Sequence, residues 1–330
     1  MTTNKNRQEW IDIAKGIGII LVVYGHVLRG VESANLPLDK NFFLSNDLFI
    51  YSFHMPLFFV LSGLFFTNSL NKYGVKGLLF EKSKTILYPF VIWSILQTSI
   101  EIILSSFTNG QISINELFTS LIIPRAQFWF LYALFFINVI NLLLFRIFKD
   151  KWLIISFLIS IIYHIFPINL SVFSNAFSYL IYFNIGIASY NFLIKENKIN
   201  KISNPMYLIS IVLSFIFFEY LYIAKDILIL KKILILPILG TIVTIILSYV
   251  ISKEKALKTI LNSLGKYSMH IYILHILVAS GTRIILFKLL HIDNVIIHIV
   301  TGTILGVIAP YLITFKFKNN KIYESLFRLK

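Results

Sequence analysis

Apolar stretches long enough to cross ~30 Å of hydrocarbon recur from Ile11 to Phe317, broken only by short polar segments. Inside a bilayer every backbone N–H and C=O has to find its partner within the protein, so such stretches read as helices. The expected fold is an all-α, polytopic bundle of about ten transmembrane helices. Composition agrees: 57% of the 330 residues are hydrophobic and 14% charged, whereas an ordinary soluble domain is about a quarter charged. Residues 1–330 are expected to form a single membrane domain, with short cytoplasmic tails at 1–9 and 319–330.

Polar clusters place the helices at Ile11 to Leu28, Leu48 to Leu70, Thr85 to Ser106, Phe128 to Phe145, Trp152 to Phe166, Val172 to Ile194, Pro205 to Ala224, Ile227 to Ile251, Ser268 to Leu290 and Val295 to Phe315. The segment Ile114 to Ile123 reads as a re-entrant or interfacial piece. The first run has no small-residue cleavage site and carries Asp12, Lys15 and His26, so it is expected to remain as the first span.

A net charge of +15 could suit nucleic acid, but the lysines stand in short clusters between apolar runs and form no continuous basic surface. Such clusters set topology. Lys72, Lys76, Lys82, Lys84, Lys149, Lys151, Lys195, Lys198 and Lys253 fall on one side. Fewer cations, among them Arg29, Lys40, Lys225, Lys231, Lys232 and Lys288, fall on the other. Both termini are expected in the cytoplasm, in a multi-pass protein of the plasma or inner membrane. The absence of cysteine excludes thiolate nucleophiles and cysteine metal sites. No internal repeat of the kind that builds many transporters is visible.

Ionisable residues at membrane depth are costly and normally face a bundle interior or a wet cavity. Lys15 and His26, eleven residues apart, return to nearly one face of the first helix with an axial separation of ~16 Å. Asp12 lies one turn before Lys15 and can pair with it; as interfacial anchors both would have a purely structural reading. His26 is too deep for that, and imidazole is the usual general base near neutral pH. His54 opens the inward-running second helix and shares the depth of His26. It is either a second functional imidazole or a cap on backbone freed by Pro56. Glu101, Arg125, Gln127, Trp129, Glu219 and Arg283 map to the outer half, where they line a polar cavity or sit singly in the headgroup layer. His270 and His275 begin the ninth helix on the cytoplasmic side, where helix-start hydrogen bonding is the plain alternative.

Four segments share wording with one family: RQEWIDIAKGIGIILVVYGH from Arg7 to His26, FHMPLFFVLSG from Phe53 to Gly63, FWFLYAL from Phe128 to Leu134 and LGKYSMHIYILH from Leu264 to His275. Together they resemble the membrane-bound acyltransferase 3 family, closest to its sugar O-acetyltransferase branch, the fucose 4-O-acetyltransferase-like members. Lys15 and His26 fill that family's pattern of a basic residue, a ten-residue gap and a histidine. Where members often carry an arginine pair before the third helix, this chain has Lys82 and Lys84, which lack the bidentate geometry of arginine on phosphate.

The resemblance implies transfer of an acyl group, by default acetyl, from cytoplasmic acetyl-CoA to a hydroxyl of a surface polysaccharide or lipid-linked sugar, without a metal and within membrane lipid. A CoA phosphate held by Lys15, Lys82 or Lys84 would lay the pantetheine arm along the first helix and bring the thioester to His26. His26 would then be general base or acyl carrier, with His54 assisting. Glu101, Arg125 and Trp129 would shape the acceptor pocket, and Asp12 and His275 are further candidates. Two other classes compete: a transporter or flippase using buried histidines as a proton relay, and a non-catalytic partner in polysaccharide export.

Overall fold

The computed structural model describes residues 8–105, 113–224 and 234–329, and among these residues there is no strand. Twelve helices carry the architecture: α1 (Glu9–Ser33), α2 (Lys40–Gly63), α3 (Phe66–Lys82), α4 (Tyr88–Ile103), α5 (Trp129–Phe148), α6 (Trp152–Ile165), α7 (Ser174–Tyr190), α8 (Pro205–Ala224), α9 (Ile235–Ile251), α10 (Lys255–Lys266), α11 (Ser268–Ile284) and α12 (Val295–Phe317). Among the described residues, eight helical stretches are long and apolar enough to cross a membrane, and α9 is a shorter apolar helix. One of the eight, residues 126–165, doubles back at Lys149, whose φ of 47° ends α5 and starts the turn into α6. The chain is therefore a polytopic helical bundle, as its hydropathy indicates.

α1 is the hub. It packs against α2, α9, α10, α11 and α12, and Ile13, Ala14, Ile19, Val23 and Leu28 are completely or almost completely buried. A helix enclosed on all sides needs close neighbours, and in lipid, where apolar surface alone gives no drive to associate, that closeness comes from small residues. At the α1–α10 crossing a Cβ on Gly265 would lie 1.6 Å from the Asp12 carbonyl oxygen. Asp12 thus contributes its backbone to a helix crossing.

A second group, α5, α6 and α7, is clasped by buried polar side chains. Ser156 Oγ donates to Asn141 Oδ1 at 2.8 Å, and Asn184 Nδ2 donates to Ser156 Oγ at 2.8 Å. α2 packs on both α1 and α7 and so joins the two groups. Peripheral α8 leans on α9 and reaches α2 through a hydrogen bond from Ser52 to the buried Glu219.

Several boundaries differ from the expectation for local reasons. The second span begins at Lys40, capped by Asp39, and stops at Gly63; the chain restarts as polar α3, so the expected continuation to Leu70 is broken. α3 and α4 meet through a π-helical segment, Ser83–Leu87. Residues 114–123 hold one short helix, Asn115–Thr119, with Ile114, Phe118, Ile122 and Ile123 exposed, which matches an interfacial piece. The expected start of the eighth span, together with Lys225, Lys231, Lys232, Lys5, Arg7, Ser106 and Lys330, lies outside the described residues.

Both described ends of the chain gather at one face. Glu9 pairs with Lys258 at 2.6 Å and Arg328 with Glu81 at 2.9 Å, and the Leu329 N–H donates to the Lys84 carbonyl at 3.2 Å. Lys15 lies near this face; Arg29 marks the opposite end of α1. α11 runs parallel to α1, since Ser268 and Met269 line a cavity with Lys15 while Arg283 sits against Gly30.

Candidate functional site

α1, α2 and α11 bring three histidines to one depth. The rings of His26 and His275 are 5.0 Å apart between centroids and inclined by 56°, and His54 is close enough to His26 for their charges to interact. His275 is fully buried, and its Nδ1 lies 2.6 Å from the Tyr272 carbonyl oxygen. A carbonyl only accepts, so Nδ1 carries the hydrogen and Nε2 the lone pair. That Nε2 has no hydrogen-bond partner among the described residues. In the same way His54 Nδ1 donates to the Ile50 carbonyl at 2.6 Å. Pro56 frees the carbonyl of Ser52, four residues earlier, whereas the His54 Nδ1 bond goes to Ile50.

Beside His54, the Tyr51 ring meets the imidazole edge-on with centroids 4.6 Å apart. The Arg29 guanidinium covers the Tyr51 ring at 3.3 Å. Asp47 fixes Arg29 with two hydrogen bonds of 2.6 and 2.9 Å, the bidentate geometry that orients a guanidinium most firmly.

Two cavities flank the histidines. Toward the Arg29 face, a cavity of about 240 Å³ is lined by His26, Arg29, Gly30, Ser280, Arg283 and His298. Toward the Lys15 face, one of about 150 Å³ is lined by Lys15, Met55, Phe58, Thr85, Phe130, Ser268 and Tyr272. The Tyr272 ring is 6.0 Å from that of His275. Tyr272, His275 and His26 therefore form a row of rings leading from one cavity to the other.

The remaining predicted residues fall into two sets. Lys82 lies near enough to Lys15 to interact electrostatically, whereas Lys84 turns its Nζ over the Phe80 ring at 5.0 Å. Glu101 and Arg125 line neither cavity. Arg125 pairs with Glu116 at 2.6 Å and with Glu101 at 3.4 Å. From there Gln97 donates to Glu101 at 3.0 Å, Gln127 to Gln97 at 2.7 Å, and the Tyr272 hydroxyl to the Gln127 carbonyl. These side chains thus brace Tyr272 from outside. Trp129 is half-buried with its ring 5.2 Å from Tyr179, among Phe59 and Phe130. Among the described residues no group of three or more potential metal ligands occurs.

The position expected for His275, at the cytoplasmic start of its helix, is corrected. Seven residues beyond Ser268 it has risen ~10 Å along α11, which brings it level with His26. His270 does stay near the helix start, its ring 4.2 Å from Phe327 of the C-terminal segment. Arg29, Tyr272, Ser280 and His298 were not singled out as site residues by sequence. A three-residue spacing links Arg29 to His26 and Tyr272 to His275 on common helix faces, a signal that becomes legible only once α1 and α11 are known to touch.

The family profile described as "Acyltransferase domain" matches residues 8–315. Over 174 residues the chain is 29% identical to Nodulation protein NolL of Sinorhizobium fredii (strain NBRC 101917 / NGR234), covering 51% of this chain and 44% of that protein. Nodulation protein NolL of Mesorhizobium japonicum (strain LMG 29417 / CECT 9101 / MAFF 303099) is 28% identical over 178 residues, covering 51% and 43%. The matched region thus spans less than half the length of these curated relatives. No solved structure matches the chain. The profile match takes in the histidine row, both cavities and nearly every described helix: the chain belongs to the acyltransferase 3 family.

Proposed function

We propose that this protein is a membrane O-acyltransferase that carries an acetyl group from cytoplasmic acetyl-CoA to a hydroxyl of a cell-surface glycan or its lipid-linked precursor. The observation that supports it most is the His26–His275 contact set between two cavities of different chemistry. The donor enters from the Lys15 face. Lys15 and Lys82 hold its phosphates, and the narrow, largely apolar cavity past Met55, Phe58 and Phe130 takes the pantetheine arm. The acceptor enters from the Arg29 face.

His26 accepts the proton of the acceptor hydroxyl as that oxygen bonds to the thioester carbonyl carbon. The C–S bond then breaks, and the CoA thiolate leaves with the proton that His26 held. General base catalysis of this kind contributes about 10² to 10⁴ in rate. His275, held as the Nδ1–H tautomer by the Tyr272 carbonyl, packs its ring against that of His26 and so limits where the His26 ring can sit. It is a positioning residue, and the amide chain from Glu101 to Tyr272 holds it in register. His54, pinned by Ile50, keeps the wall on the α2 side.

Inverted membrane vesicles given labelled acetyl-CoA test the proposal. Label transferred covalently to endogenous glycan, and lost in His26→Ala with insertion intact, is the expected result. Full transfer by an inserted His26→Ala protein overturns it, as does movement of glycan across the membrane without covalent label.

A further inference from the structure

Resting on that reading, we infer that the acceptor is anionic: it presents a phosphate or carboxylate to Arg283 while its hydroxyl faces His26. The geometry comes from the larger cavity. Arg29, Arg125 and Arg328 each have a carboxylate within 4.0 Å. Arg283, half-buried at the far end of α11, has no hydrogen bond or ion pair among the described residues, and no Asp or Glu lines its cavity. A guanidinium withdrawn from water at the membrane boundary without a counter-charge is unfavourable, so its retention there calls for an anion supplied from outside.

The wall beside it is shaped for that group. A Cβ on Gly30 would lie 2.2 Å from Arg283 Nη1, so only glycine at this position lets the guanidinium lie against α1, one turn from His26. His298 completes the recognition set. Its Nε2 donates to the Ile292 carbonyl at 2.7 Å, which leaves the buried Nδ1 a lone-pair acceptor with no partner among the described residues. A sugar hydroxyl can donate to that nitrogen, and Ser280 adds a second polar contact. The cavity of about 240 Å³ therefore combines one open cation, two neutral hydrogen-bonding groups and the candidate base, and its size suits a single sugar unit. The charge of Arg29 is already offset by the Asp47 carboxylate, which leaves Arg283 as the arginine of this cavity without a counter-charge.

The same oxyanion chemistry could come from a lipid headgroup or from CoA, and the test separates them. The full chain in dodecyl maltoside is heated with glucose, glucuronate, glucose 1-phosphate, glycerol 3-phosphate or CoA, and Tm is read for wild type, Arg283→Gln and Arg283→Lys. Glucuronate or glucose 1-phosphate should raise Tm where glucose does not. The rise should vanish in Arg283→Gln and partly return in Arg283→Lys, while the rise given by CoA persists in both.

In parallel, initial rates of acetyl transfer to the same sugars should favour the anionic ones at least tenfold, a ratio that collapses toward one in Arg283→Gln. Equal Tm responses of wild type and a folded Arg283→Gln overturn the inference. So does a glycerol 3-phosphate response matching that of the sugar anions, or a CoA response that depends on Arg283. Sugar-anion stabilisation that depends on Arg283 in a protein that transfers no acetyl group would sink the transferase reading while leaving the anion site standing.

Discussion

The two cavities at the ends of the Tyr272–His275–His26 row are built from opposite materials. The one on the Lys15 face carries a single cation and is walled mainly by apolar side chains such as Met55, Phe58 and Phe130, with three hydroxyls from Ser62, Thr85 and Ser268. The one on the Arg29 face is wider and holds two arginines, two histidines and two serines. An apolar slot with one charged end suits an extended, largely uncharged arm with a phosphate at its tail. A polar chamber suits a compact hydroxylated ligand. The Tyr272–His275–His26 row runs from one to the other, and this division of labour can be broken by changing residues of the row or of either cavity.

Loss of the imidazole at the Arg29-face end of that row should have the greatest effect. His26→Ala should cut acetyl transfer by about a hundredfold to ten-thousandfold, measured as labelled glycan per unit of inserted protein. A change confined to the acceptor's KM, with kcat intact, would mean that His26 lines the acceptor cavity and takes no part in the chemistry. Next comes His275→Ala, expected to lower kcat by about a hundredfold through misplacement of the His26 ring, with both KM values little changed. Its pH–rate profile should shift, which a merely structural role would not produce, and His275→Phe, which keeps a ring packed against His26, should recover part of the rate.

A smaller effect, on the donor side alone, is expected of Lys15→Ala: an increase of about tenfold in the KM for acetyl-CoA, equivalent to ~1.4 kcal/mol. An equal rise in the KM for acceptor would remove the distinction between the cavities. The smallest change in stability should come from Gly30→Ala. Its new methyl meets only the end of a flexible side chain, Arg283 Nη1, so unfolding free energy should move by no more than about 0.5 kcal/mol. The guanidinium must nevertheless swing aside, and the preference for anionic over neutral acceptors should fall. Unaltered discrimination in a folded Gly30→Ala protein would detach Arg283 from acceptor choice.

Much of the architecture is legible in the chain because hydrocarbon is a severe solvent. A run such as Trp152–Ile165 has no alternative to a helix there, and polar residues at Lys149 to Lys151 have no alternative to a turn. The spacing of Lys15 and His26 on one helix face is likewise a property of α-helical geometry that needs no neighbour. The acceptor side was harder to read. Glu101 and Arg125 are drawn into ion pairs and an amide chain, and Trp129 into an aromatic stack with Tyr179. Depth along a helix can be counted from sequence. The direction a side chain faces depends on which helix lies beside it.

Sequence by itself therefore determined the solvent, the helical class, the approximate spans and the candidate base, because each depends on local composition or on the 1.5 Å rise per residue. Only the tertiary structure decided that α11 lies parallel to α1. That pairing sets His275 against His26 and Arg283 against Gly30, contacts between residues some 250 positions apart. The physical reason is that helix association in lipid is fixed by close packing of small residues and by a few buried polar contacts. No periodicity within a single helix records which partner it will meet.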